Sequence, residues 1–238
     1  MILDSIRHAV TPSGLNLIGS ATSAAYDARV PSAFQLSKLH PAGKCLIVLG
    51  NGGADFWRTY ADAGPHHAAA HPVDAFTVEC VEARVVPVLR RAGVEFRLFY
   101  PFRFTAEPLS FLHAGACAGL GVRSRLGILI HPVYGPWMAL RAAISIAAAL
   151  PASPPLAFDG CTSCSEQPCI RACPGGAISR VGWDVPACAR QRLQEPDSCA
   201  EGCHARLQCI YGQGHRYPLA AQRHHQSHSL RQLRQYAV

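Results

Sequence analysis

Residues 161–174 read CTSCSEQPCIRACP and carry the motif from which we predict the structure of the C-terminal part of the chain. Three thiols lie close together, and a fourth, Cys173, is followed directly by Pro174. In ferredoxins that hold two [4Fe-4S] clusters, three such cysteines bind one cluster and the Cys-Pro thiol binds the other. Gly175 and Gly176 let the backbone turn closely and present amide hydrogens to sulfur. The spacing therefore predicts an iron-sulfur module.

The cysteine count matches two clusters, because two four-iron clusters need about eight thiolates. The candidate ligands are Cys161, Cys164, Cys169, Cys173, Cys188, Cys199, Cys203 and Cys209. The crossed ferredoxin pattern assigns one cluster to Cys161, Cys164, Cys169 and Cys209, and the other to Cys173, Cys188, Cys199 and Cys203. Structural zinc is the alternative, because paired cysteines also form tetrahedral sites. A run that ends in Cys-Pro is more typical of clusters.

The composition indicates a globular protein, since 49% of the residues are apolar and 16% are charged. Eleven cysteines without a signal-like N-terminus predict a reducing, cytoplasmic location. Cys45, Cys80 and Cys117 lie in apolar stretches, which predicts buried small hydrophobes. The stretch 138–150 holds Arg141 and is too short to span a bilayer, so we expect no membrane association.

The formal charge of +7 counts every cysteine as neutral. Two clusters with their thiolate ligands lower it to roughly +3. A basic charge of that size gives little support for binding to nucleic acid, which we therefore expect to be an unlikely partner.

Upstream of the cysteines, short apolar runs separated by turns predict an α/β domain over residues 1–155. We expect a ferredoxin-like domain over residues 156–215 and a basic, His-rich tail over 216–238, because the proline-rich stretch 151–160 marks a boundary. The predicted strands are 44–50, 94–100 and 126–130. The predicted helices are 75–93 with a kink at Pro87, 109–119 and 137–150.

Residues 118–144, AGLGVRSRLGILIHPVYGPWMALRAAI, resemble the segment upstream of the clusters in the epoxyqueuosine reductase superfamily. Residues 187–190 are similar to the isolated fifth ligand of that family. The resemblance covers about residues 95–212. It implies a cobalamin-processing or nitroreductase-like α/β domain followed by an α+β ferredoxin-like domain with two [4Fe-4S] clusters. The chain is also similar to a group of short bacterial ferredoxin-type proteins, through residues 71–74 and 216–218.

The chain departs from the reductase pattern in several places. Four residues separate Cys164 from Cys169 where the family has two, and the last cysteine run is stretched as well. Thr105 stands where the resemblance places a proton-donating aspartate, although Glu107 is nearby. The chain also ends soon after the cysteines, without the C-terminal helical repeats of the reductases. These departures argue against epoxyqueuosine reduction itself.

Several residues are candidates for binding a cofactor. Gly50, Gly52 and Gly53 follow a predicted strand and either present amides to a phosphate or form only a tight turn. His131 follows another predicted strand, 126–130, and either faces a cofactor or serves in capping and packing. We expect a cofactor pocket near Gly50, Tyr100 and His131.

Another possible metal site is formed by histidines. His66, His67 and His71 either bind a metal or belong to a polar loop, with His71-Pro72 starting a helix. No neighbouring carboxylate or cysteine completes a ligand set, which favours the loop.

Two functions follow from these observations. The first is a ferredoxin-type electron-transfer protein that works with a redox partner protein. The alternative is a cobalamin- or flavin-dependent reductase, in which the clusters feed a cofactor held by the N-terminal domain. A proton donor in that domain would favour the reductase.

Overall fold

The computed structural model describes residues 2–64, 69–103 and 108–236. The chain divides into two compact units. The first unit comprises Met1–Gly121 and Met138–Ala157, and the second comprises Val122–Trp137 and Phe158–Val238. The stretch from Val122 to Trp137 therefore belongs to the same unit as the cysteine-rich part, although it lies within the N-terminal domain predicted over residues 1–155.

Over these described ranges the strands are β1 (Leu17–Thr22), β2 (Cys45–Gly52), β3 (Phe96–Phe99), β4 (Val122–Arg123), β5 (Leu129–Ile130), β6 (Met138–Ile146), β7 (Ile178–Ser179) and β8 (Gly182–Trp183). The α-helices are α1 (Ile2–Val10), α2 (Ser23–Asp27), α3 (Leu36–Leu39), α4 (Asp55–Ala63), α5 (Pro72–Arg84), α6 (Val86–Arg91), α7 (Phe111–Cys117), α8 (Pro168–Ala172), α9 (Val185–Gln194), α10 (His204–Leu207) and α11 (Leu219–Tyr236).

An antiparallel sheet in the order β1-β2-β6-β3 forms the centre of the first unit. Every residue of β2 is buried. Ile47 of β2 lies opposite Ile144 of β6, and a bulge follows Leu49. The side chains of β2 and β6 thus fill both faces of the sheet, which explains why these two segments are apolar at nearly every position.

The predicted helix over residues 137–150 is wrong, because Met138–Ile146 forms strand β6. This segment is apolar on both faces and therefore lacks the alternation that identifies a half-buried strand. A short, uniformly apolar run reads equally well as a buried helix.

For several other predicted elements the type, strand or helix, is confirmed. The runs at 44–50 and 94–100 form β2 and β3, and α7 occupies the centre of the predicted helix at 109–119. The predicted helix at 75–93 is two helices that meet at Val85. Pro87 lies in the first turn of α6, where a proline costs no hydrogen bond, so it helps to start a helix instead of kinking one.

Helices α1, α4, α5 and α6 contribute side chains to one core with the sheet. Phe56 of α4 and Phe76 of α5 approach within 5.4 Å between ring centres. Cys45 and Cys80 are buried in this core, as predicted, whereas Cys117 is only partly buried.

The second unit consists of short elements. Hairpins β4-β5 and β7-β8 accompany helices α8 to α11. Asp184 caps α9 by accepting a hydrogen bond from the Ala187 amide at 2.9 Å. The Trp137 ring is covered by the Arg206 guanidinium at 4.7 Å and by the Tyr217 ring at 5.7 Å. Among the residues that the structure describes, no helix is both long and apolar enough to cross a membrane.

Candidate metal centre

Four cysteines of the second unit form one group of neighbouring thiols. Burial raises the pKa of Cys169, and the nearby Cys161 and Cys164 raise it further. Burial also raises the pKa of Cys209 to about 11, with Cys161, Cys169 and Cys164 adding to the shift. One charge shifts the pKa of another group only over a limited distance, so these four thiols are neighbours in the second unit.

The other four cysteines of the unit form a second group. Burial raises the pKa of Cys199, and Cys188 and Cys173 raise it further. Burial is also the largest cause of the raised pKa of Cys203, to which Cys199 and Cys188 add. The two groups have the membership that the crossed ferredoxin pattern requires, and all eleven cysteines of the chain are free thiols. That these groups bind clusters stays a prediction.

A cavity of about 300 Å³ is lined by all four cysteines of the second group. Its walls are otherwise mainly apolar, with Leu126, Ile128 and Trp183 among them. Four thiolates close around a zinc ion at about 2.3 Å and leave no comparable space. Soft sulfur donors around a cavity of this size therefore fit an iron-sulfur cluster better than a single zinc ion.

Side chains on either side of the first group fix the loop that carries Cys161. Tyr211 donates its hydroxyl to the Gly160 carbonyl at 3.0 Å and lies 2.9 Å from the Ser163 hydroxyl. Arg125 donates to the Cys161 carbonyl at 2.9 Å. Because Tyr211 comes two residues after Cys209, these bonds hold the last cysteine beside the first cysteine run.

Two glycines bring the backbone before Trp137 against the backbone after Cys209. Gly135 and Gly212 have φ angles of 54° and 68°, which glycine adopts without strain. A Cβ atom on Gly135 would collide with the Tyr211 carbonyl, and one on Gly212 would collide with the Tyr134 carbonyl. Only glycine fits at either position.

His131 lies in the second unit and is partly buried. Its Nδ1 accepts hydrogen bonds from the amides of Val133 at 3.1 Å and Tyr134 at 3.4 Å, so it caps the turn that follows. Burial lowers the pKa of His131, and the nearby His215 lowers it further. The structure gives His131 the capping role that the sequence analysis weighed. Contact with a cofactor stays a prediction.

The glycines at 50–53 have structural explanations of their own. Gly50 and Gly52 belong to β2. The Gly52 amide donates to Asn16 Oδ1 at 2.7 Å, and its carbonyl accepts from Asn16 Nδ2 at 3.0 Å. Gly53 follows with a φ angle of 71°, as a turn requires. The Gly52 amide is therefore already engaged, and binding of a phosphate by these residues stays a prediction. The expected cofactor pocket near Gly50, Tyr100 and His131 also stays a prediction.

Several candidate residues lie outside the described residues, namely His66, His67, Thr105 and Glu107. His71 is described and immediately precedes α5, which Pro72 opens and which carries Asp74 in its first turn. The sequence-based interpretation of His71-Pro72 as the start of a helix is therefore confirmed.

Sequence reasoning missed a Ser-His-Glu arrangement in the first unit. His40 Nδ1 lies 2.8 Å from Ser145 Oγ, and its Nε2 lies 3.0 Å from Glu95 Oε1. Ser145 is fully buried in β6, and a methyl group added to Gly43 would collide with its hydroxyl. A substrate has no room beside this hydroxyl, so the arrangement holds the sheet together instead of performing nucleophilic catalysis.

Sequence reasoning also missed Arg192, which lines the cavity with the four cysteines of the second group. Arg192 is only 7% exposed. It follows Cys188 by four residues on α9, which places both on one helix face. That spacing is the sequence signal that identifies it.

No protein-family model matches this sequence, and no curated protein matches it significantly. Solved structures do match. Epoxyqueuosine reductase from Streptococcus thermophilus is 14% identical, with 90% of this chain and 66% of that chain covered and a TM-score of 0.64. An epoxyqueuosine reductase with a tRNA-Tyr epoxyqueuosine-modified stem loop is 15% identical, with 91% and 66% covered and a TM-score of 0.62.

A smaller protein also matches over nearly its whole length. The B12-trafficking protein CblC from C. elegans is 13% identical, with 94% of this chain and 95% of that chain covered and a TM-score of 0.53. The chain spans about two thirds of the length of the epoxyqueuosine reductases, 66% in both. In its fold, a mixed α/β fold shared with these proteins, the chain is epoxyqueuosine reductase-like.

Proposed function

We propose that the second unit binds two [4Fe-4S] clusters and that the protein transfers electrons through them. The observation that carries this proposal is the division of eight cysteines into two groups of four, one of them around a cavity. Cys161, Cys164, Cys169 and Cys209 would hold one cluster, and Cys173, Cys188, Cys199 and Cys203 the other. Bound clusters would each accept and release one electron. A redox protein is the expected partner, and free thiols suit the cytoplasm.

The direct test is the metal content of anaerobically prepared protein. We expect brown protein that absorbs broadly near ~400 nm and holds about eight iron and eight sulfide per chain. Cys117→Ala is the matched control, because Cys117 belongs to neither group and should leave the iron content unchanged. Colourless protein that binds zinc and cannot be reconstituted with iron and sulfide would refute the proposal.

A second candidate function is a reductase in which the clusters feed a cobalamin or a flavin held by the first unit. The observation that favours it is the shared fold with epoxyqueuosine reductases and with a B12-trafficking protein. We expect hydroxocobalamin or a flavin to change its spectrum on mixing and to raise the melting temperature, since a ligand that binds only the native state stabilises it. No binding of either cofactor would leave the electron carrier as the function.

The shared fold also revises one expectation. The charge of the chain predicts that nucleic acid is an unlikely partner, yet an epoxyqueuosine reductase of this fold holds a tRNA stem loop. We therefore propose tRNA as a candidate partner. A tRNA stem loop should bind with an affinity that falls as salt rises. Binding that is equally weak for the stem loop and for a random polyanion would exclude tRNA.

A further inference from the structure

Arg192 is held so that one of its N–H groups lacks a partner. Its Nη1 donates to Ser229 Oγ at 2.8 Å, and its Nη2 donates to the Gln226 carbonyl at 2.6 Å. These two bonds fix the guanidinium between α9 and α11. The third nitrogen, Nε, is buried and has no hydrogen-bond partner among the described residues. A buried donor without an acceptor is unfavourable, so an acceptor is expected beside it.

The charge of Arg192 also lacks a counter-ion. Within the described parts of the chain, no carboxylate pairs with this guanidinium. A buried cation without an anion is strongly unfavourable. The wall of the same cavity carries the four thiols of the second group and no carboxylate. Both the free N–H and the unpaired charge therefore call for an anionic sulfur acceptor.

A second arginine of the same cavity, Arg206, is already engaged. Its Nε and Nη2 both donate to the Pro136 carbonyl, at 3.1 and 2.5 Å. Its guanidinium lies over the Trp137 and Tyr217 rings. Arg206 thus contributes to the packing of the second unit. Of the two cavity arginines, Arg192 is the one whose Nε–H has no acceptor among the described residues.

We propose that Arg192 donates its Nε–H to a sulfur of the cluster held by Cys173, Cys188, Cys199 and Cys203 and raises the reduction potential of that cluster. This inference rests on the proposed function. Reduction adds one electron, and hence one negative charge, to the cluster. A buried cation and a hydrogen bond to sulfur both stabilise the more negative state. Arg192 is therefore a positioning and tuning residue, and it takes no part in the ligation of iron.

The test is an EPR-monitored redox titration of the full chain with both clusters. We expect Arg192→Met to lower one of the two potentials by at least a tenfold change in the one-electron equilibrium constant, about 59 mV. The other potential should not move and serves as an internal reference. Arg190→Met is the matched control, because Arg190 is an exposed arginine on the same helix and solvent screens its charge.

The outcomes separate this inference from the proposed function. If Arg192→Met keeps all its iron and both potentials equal those of the wild type, the inference about Arg192 is overturned. The proposal that the protein binds two clusters is then unaffected. If the wild type binds no iron, the proposed function fails first. If Arg192→Met loses iron, Arg192→Lys decides, since lysine keeps the charge without the Nε donor. A lowered potential in Arg192→Lys supports the inference, and a wild-type potential overturns it.

Discussion

The division of the cysteines can be tested with pairs of substitutions, because two assignments predict opposite results. In the crossed assignment, Cys169 and Cys173 belong to different groups although only three residues separate them. In a linear assignment, the first four cysteines of the module would share one cluster. Each cluster needs four thiolates, so substituting one cysteine of a group should abolish the cluster that this group holds. The protein would then lose about four of its about eight iron atoms per chain.

The double variant Cys169→Ala, Cys173→Ala should therefore hold almost no iron in the crossed assignment, whereas the linear assignment leaves about four. The double variant Cys173→Ala, Cys199→Ala reverses the expectation, because both belong to the group around the cavity. It should keep about four iron atoms in the crossed assignment and none in the linear one. Anaerobic reconstitution followed by iron and sulfide analysis measures both. Equal iron content in the two double variants would contradict the grouping.

Three further predictions concern stability and chemistry. Burial raises the pKa of Tyr26 to about 12 from 10.0, so the native state retains this proton between pH 10 and pH 12. The stabilisation from this proton is fully present below pH 10 and is lost as pH rises towards 12. In urea unfolding, the free energy of unfolding of the wild type relative to Tyr26→Phe should therefore fall by about 1.4 kcal/mol per pH unit in this range. Gly135→Ala should cost at least about 2 kcal/mol in thermal unfolding, because it combines a positive φ with a clash. Gly214→Ala, with open space around it, should cost less than about 1 kcal/mol. A fluorophosphonate probe should not label Ser145 in the native protein, and labelling would disprove its inaccessibility.

The sequence predicts those elements that have an unambiguous pattern. Strand β2 is recognisable because its apolar run ends in glycines, and α5 because His71-Pro72 precedes it. Strand β6 is not recognisable, because burial on both faces removes the two-residue period. The division at Val85 was also missed, since a proline in the first turn of a new helix looks the same in sequence as one in mid-helix.

In the candidate metal centre, too, some features are predictable from the sequence and others are not. Cysteine spacing predicts how the eight cysteines divide into two groups, because ligation requires particular atoms at short range, and the ligation itself stays a prediction. The role of Arg192 depends on two contacts from α11, Ser229 and Gln226, that lie more than thirty residues away. No local sequence pattern encodes such contacts. The four-residue spacing from Cys188 indicates only that Arg192 lies on the same face of α9 as this cysteine.

The discontinuous second unit limits how the protein can be cut or fused. A fragment that starts at residue 158 carries every candidate cluster ligand but lacks Val122–Trp137. It would leave Arg206 and Tyr217 without the Trp137 ring, and Gly212 without the turn that holds Gly135. An autonomous electron-carrying fragment would therefore have to join residues 122–137 directly to residues 158–236. During synthesis, the ribosome releases residues 122–137 before residues 158–236, so the second unit assembles only after the later stretch has emerged.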